Sequence, residues 1–161
     1  MQIEMTIKGL MIDPITNMPI VVLKDRDGQR VLPIWVGVFE ANAIALQIEN
    51  VQTPRPMTHD LLRNVIEDLS ARVERIVVCE LRENTFYATI HLVSGSGPLA
   101  VDARPSDAIA LALRTSSPIF VEEAVIQSAR GTDASTDSMD VERVRKWLEG
   151  LSDEDLGKYK M

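Results

Sequence analysis

Cysteine is nearly absent from this chain, and several protein classes go with it. One cysteine in 161 residues rules out an internal disulfide scaffold and fits a reducing, cytoplasmic compartment. Cys79 sits in the apolar run Ile76-Val77-Val78-Cys79 and is expected to be a small buried hydrophobe. The only histidines are His59 and His91, with no Cys/His cluster, which leaves nothing to build a structural zinc site. No apolar run approaches the roughly 18 residues of a membrane span, and the amino-terminal residues alternate in polarity where a signal peptide would show a basic start and an apolar block. Basic charge is also short. With 17 Lys and Arg against 24 Asp and Glu the net charge is −7, a poor footprint for tight, sequence-independent binding to a phosphate backbone. Any contact with DNA or RNA would have to be weak, local, transient or metal-assisted.

What the chain does have is a repeat. Residues 32–48 read LPIWVGVFEANAIALQI and residues 97–113 read GPLAVDARPSDAIALAL. At an offset of 65, Pro33 matches Pro98, Val36 matches Val101, and Ala43-Ile44-Ala45-Leu46 recurs as Ala108-Ile109-Ala110-Leu111. A unit written twice constrains the fold before any single residue does. The segments that break the match, Gly37–Glu40 and Asp102–Asp107, are where function should lie.

Periodicity supplies the elements. Ile3, Met5 and Ile7 alternate with polar residues, a strand with one wet face. Residues 20–24 and 31–36 form the next two strands, turning at Asp25-Arg26-Asp27-Gly28, and Pro33 argues for an edge or a bulge. Residues 37–50 should be a helix apolar almost all round, hence buried. A second helix starts at Thr58 as N-cap and runs to about Ser70, with a stripe of Leu61, Leu62, Val65, Ile66 and Leu69. The order then recurs: strands over 73–81, 86–93 and 99–103, a buried helix over 105–114 opened by Pro105, and a short strand or helical turn within 118–129. His91 falls on the polar side of its strand. The expected class is α+β, a duplicated three-strand, two-helix unit with a mostly antiparallel or mixed sheet. The domain should cover 1–128, followed by a polar linker at 129–138 and a short amphipathic helical tail at 139–161, which must dock on the body or on another subunit.

Two segments carry candidate chemistry. In Arg55-Pro56-Met57-Thr58-His59-Asp60, His59 stands in the first turn of a helix, placed to act as a base or a metal ligand, and Asp60 can cap, orient a histidine or ligate a cation. In Asp102-Ala103-Arg104-Pro105-Ser106-Asp107, Arg104 can grip a phosphate or carboxylate with two nitrogens, and Asp102 and Asp107 can share a divalent ion. On spacing alone, each has a structural reading that is the more economical one. Thr58, Asp60 and Asp107 suit helix starts, and Arg104 can simply pair with Asp102 or Asp107. Glu40, a charge in an apolar helix at the repeat position of Pro105, should be paired or at a cleft edge. Ser94-Gly95-Ser96-Gly97 leads into a strand, so a hairpin turn is expected there in place of a phosphate loop.

At these residues the chain resembles the bifunctional nuclease domain family: LPIWVGVFEANAIAL, RPMTHDLL, NTFYATI and DARPSDAIALALR occur in this order and spacing. The resemblance covers about residues 1–128. It implies an α+β fold with a duplicated unit, action on both DNA and RNA, and a homodimer or higher homo-oligomer. Some relatives carry a further carboxy-terminal module linked to nucleotide-excision repair, for which the tail here is too short. As a nuclease, the chain would use His59 as base and Arg104 to oppose charge on phosphorus. Asp60 and Asp107 complete the catalytic set, and Arg55 and Ser106 would contact substrate. Glu40, Asp60, Asp102 and Asp107 would hold a divalent cation, magnesium or manganese. The competing reading is a non-catalytic dimeric scaffold or a protein binding a small anion at Arg55 or Arg104.

Overall fold

In the computed structural model the described residues are 1–132. Seven strands form one sheet: β1 (Gln2–Ile12), β2 (Pro19–Asp25), β3 (Val31–Trp35), β4 (Arg72–Arg82), β5 (Thr85–Ser94), β6 (Gly97–Ala103) and β7 (Ile119–Glu122). Four helices accompany them: α1 (Val38–Ile48), α2 (Thr58–Asp68), α3 (Pro105–Thr115) and α4 (Glu123–Thr132). The fold is α+β.

The repeat is visible as two antiparallel meanders, β1-β2-β3 and β4-β5-β6. They are joined through β7 in the order β3-β2-β1-β7-β4-β5-β6. All pairings are antiparallel except β7 with β4. Pro33 lies on β3, an edge strand, where its missing N–H costs no ladder bond. The turn at Gly95 and Ser96 closes the β5–β6 hairpin, as expected from its lead into a strand.

α3 lies between α1 and α2, packs on both, and rests on β4 and β5. Ile109 and Leu111 are fully buried there, as are Ile44 of α1, Ile76 of β4, and Met5, Leu23 and Leu32 of the first meander. Alanines at 41, 43, 45, 108, 110 and 112 keep the α1–α3 contact close. This packing places the starts of α1, α2 and α3 beside one another, and the site follows from it.

Four expectations need correction. Cys79 is exposed. A register shift between Val78 and Glu80 breaks the strand's alternation there, and the thiol lies over β5, 3.5 Å from the Tyr87 carbonyl that accepts from it. α1 is not buried all round, because its first turn overhangs open space and leaves Phe39 88% exposed. On α2 only Ile66 of the apolar stripe is buried, and Met57, not Thr58, is the N-cap. The linker expected from residue 129 begins in helix, since α4 continues to Thr132 and Ala129 packs against the core. The rest of that segment and the tail at 139–161 lie outside the described residues. β7 followed by α4 stands where the second unit was expected to hold a strand or a helical turn.

Candidate functional site

Counted from their starts, three helices share one feature: a carboxylate at the third position, Glu40 in α1, Asp60 in α2 and Asp107 in α3. Acidic groups are favoured at this end by the unsatisfied amides and the helix dipole. By this count Glu40 is the counterpart of Asp107, two residues from the match with Pro105 that the constant offset suggests. The three carboxylates then diverge in use.

Asp107 joins the two sequence segments. One of its oxygens is 2.8 Å from His59 Nε2; the other accepts from Arg104 Nε at 2.9 Å. Arg104 Nη2 lies 2.8 Å from Asp107 Oδ2 and donates to Glu40 Oε1 at 2.8 Å. Arg104 therefore bridges the starts of α1 and α3, and His59 adds the start of α2. The acceptor carboxylate places the proton of a neutral His59 ring on Nε2 and leaves Nδ1 as the basic nitrogen. His59 is buried, whereas the Arg104 side chain is two-thirds exposed. Its hydrogen bonds to Asp107 and then Glu40 raise the already high pKa of the guanidinium. A side chain at Gly37 would meet the Glu40 carboxylate, so glycine there gives Glu40 room to reach Arg104.

These groups border a cavity of about 1010 Å³. Its remaining wall is mostly apolar, including Phe39, Leu62, Ile66, Ile90, Leu92 and Val101. Asp102 lines it from β6 and is exposed.

Asp60 points elsewhere. Its Oδ1 accepts from Arg114 Nε at 2.6 Å and its Oδ2 from the Met57 amide at 2.9 Å. Burial alone would raise this carboxyl, but the Met57 amide, Arg114 and more distant Arg63 hold it below its ordinary value. Arg114 is itself buried and donates to the carbonyls of Ala110 and Ala43 at 2.8 and 2.9 Å, which ties α2 to α1 and α3. Sequence reasoning missed Arg114. The available signal was a guanidinium in the last turn of an otherwise apolar helix, a position that demands a partner. Ser106 is buried and lines neither described cavity, and Arg55 lines a second, smaller one.

Of the eight singled-out residues, the structure brings together Glu40, His59, Arg104 and Asp107, with Asp102 on the same cavity wall. The four carboxylates proposed to hold a cation do not converge. Glu40 and Asp107 share Arg104, Asp60 is engaged by Arg114, and no group of three potential ligands comes together among the described residues. This donor set does not fit a divalent ion, and the chemistry these side chains offer is that of imidazole, carboxylate and guanidinium. No helix among the described residues is long and apolar enough to cross a membrane.

A histidine, an arginine and two carboxylates gathered from three helix starts beside a large cavity define an α+β protein with a candidate acid–base centre. Residues 21–133 match the model of the bifunctional nuclease domain, and the chain belongs to that family. It is 37% identical over 162 residues to an uncharacterized protein of Mycobacterium tuberculosis, covering 95% of this chain and 97% of that one. It is also similar to Bifunctional nuclease 1 of Arabidopsis thaliana, 29% identical over 109 residues, and to Bifunctional nuclease 1 of Oryza sativa subsp. japonica, 27% identical over 109 residues. Each plant match covers 65% of this chain but only about a third of the plant protein.

Proposed function

We propose that this protein hydrolyses phosphodiester bonds in DNA and RNA at the His59–Asp107–Arg104–Glu40 cluster. The observation that carries the reading is the convergence of His59 and Arg104 on one carboxylate, Asp107, at the wall of the large cavity. A base held by an orienting carboxylate is the arrangement that activates a weak nucleophile. Water attacks phosphorus and His59 Nδ1 takes its proton as the new P–O bond forms. The bond to the leaving oxygen breaks, and that oxygen is protonated from solvent. Arg104 opposes the charge growing on the non-bridging oxygens. Its Nη1 has no protein partner among the described residues, and a phosphate must compete with Glu40 and Asp107 for the other two nitrogens. Asp107 and Glu40 are positioning residues.

The reading is tested on single-stranded RNA and DNA with magnesium, manganese or chelator, following activity and protein through successive purification steps. Asp107→Asn keeps the shape but weakens the hold on both His59 and Arg104. It should lower cleavage about 100-fold or more. Cleavage that separates from the protein on a column, or that Asp107→Asn leaves intact, removes the reading.

A separate observation supports a partner. Leu61 of α2, Leu69 just after it and Leu99 of β6 are each more than half exposed, and among the described residues β6 ends the sheet with an unpaired edge. An open apolar edge strand is a template for pairing, and pairing with the same strand of a second copy closes on itself by two-fold symmetry. The occupant proposed for this face is a second copy of the chain.

A further inference from the structure

A second cavity, of about 330 Å³, lies on the other side of the first turn of α2, and its character is opposite to that of the first. His59 faces the large cavity; Asp60, the next residue, lines the small one. Its walls come from the end of α1, the 49–57 connection, α2 and Arg114. Three guanidiniums, Arg55, Arg63 and Arg114, line it against one carboxylate, Asp60, leaving a local charge of +2 in a chain of net −7.

That carboxylate is already spent. Both Asp60 oxygens are occupied, by Arg114 and by the Met57 amide. Arg114 is equally committed, to Asp60 and two carbonyls. The other two arginines are not. Arg63 gives Nε and Nη2 to the neutral Asn64 side chain at 3.2 and 3.1 Å, with no carboxylate at ion-pair distance among the described residues. Arg55 has no side-chain partner among the described residues and stands between Pro54 and Pro56, each of which fixes a backbone torsion. The Thr53 hydroxyl donates to the Arg55 carbonyl at 2.7 Å and fixes the loop further. With the backbone restrained in this way, capturing a ligand has to order only the arginine side chain and not the loop that carries it. Gln47, Asn50 and Gln52 add neutral hydrogen-bonding groups to the same wall.

We infer that this pocket binds the phosphate of a phosphomonoester, gripped between Arg55 and Arg63. Guanidinium pairs suit tetrahedral oxyanions, and the volume is at the lower end for small-molecule sites, enough for a mononucleotide or the phosphorylated end of a strand. The inference does not depend on cleavage at His59. The pocket holds a phosphate whether or not its neighbour cuts.

The test is titration calorimetry of the full chain at low and moderate salt. The probes are inorganic phosphate, a nucleoside monophosphate, and one short oligonucleotide with and without a terminal phosphate. The phosphorylated probes should bind, more weakly as salt rises, and Arg55→Ala with Arg63→Ala should lower affinity at least 10-fold while Arg55→Lys retains part of it. Preference for the oligonucleotide end over the monophosphate identifies a strand terminus as the source; the reverse identifies a free nucleotide. Absence of binding by any phosphorylated probe overturns the inference, as does binding that survives the double substitution in a folded protein. If His59→Ala abolishes phosphate binding and the arginine variants do not, the anion sits in the other cavity. The pocket is then ruled out while the cleavage reading stands. Phosphate binding lost with the arginines in a protein that cleaves nothing keeps the pocket and removes the cleavage reading.

Discussion

Replacing Arg114 by methionine should test whether Asp60 holds the helices together or performs chemistry. The Arg114 side chain is 2% exposed and that of Asp60 20%, with 2.6 Å between them. Removing one member of a fully buried pair costs about 3–5 kcal/mol, because the other charge is left without a partner. Asp60 is a fifth exposed and keeps its bond from the Met57 amide, so about 2–4 kcal/mol is expected here. For a chain of this length that lowers the thermal midpoint by roughly 5–15 °C. Asp60→Asn leaves Arg114 charged and buried and should also destabilise. The double variant Asp60→Asn/Arg114→Met should lose less than the sum of the two by about 1–3 kcal/mol, as expected of residues in direct contact. The assay is urea unfolding of all four proteins by circular dichroism. Additivity within about 0.5 kcal/mol would refute the coupling. Asp60→Asn with an unchanged midpoint but no cleavage would return Asp60 to the catalytic set.

Two further outcomes follow from other parts of the fold. Burial, and then the charge of Arg75, depress the pKa of His91 in the folded state from its ordinary 6.5, against the opposing pull of Glu74. The unfolded chain therefore takes up a proton that the fold resists, so this stabilisation is complete above pH 6.5 and is lost as pH falls through the folded value. His91→Gln should flatten the fall in thermal midpoint on acidification relative to the parent, and identical slopes would contradict the assignment. For the apolar face, light scattering after size exclusion should find a dimer, and Leu61→Glu with Val65→Glu should make it a monomer. A monomeric parent at micromolar concentration would remove the second copy from the account.

Local signals made much of this protein legible from its residues. The repeated Ala-Ile-Ala-Leu block revealed the duplication and so the two meanders, and proline and capping patterns located the helix starts to within a residue or so. The pairing expected of Glu40 is met by Arg104, 64 positions away. What stayed hidden depends on contacts distant in sequence. Four residues of β7 carry too little periodicity to reveal that they stitch the two halves together and run parallel to β4. Cys79 is exposed through a register shift that hydropathy cannot encode. The Asp60–Arg114 pair joins helices 54 positions apart, so adjacent residues 59 and 60 looked like one site when they bond different partners and line different cavities. The stripe on α2 is amphipathic as read, yet its partner is not found among the described residues of this chain.

The central claim is that the imidazole held by Asp107 is a working base. Cleavage of a short single-stranded RNA by the parent and by His59→Gln, at matched concentration and alongside thermal melts, tests it most directly. The account predicts a loss of kcat/KM of about 100-fold or more, with the midpoint of unfolding held close to that of the parent. Equal cleavage by the two proteins would contradict it, as would a loss of activity that merely follows a loss of fold.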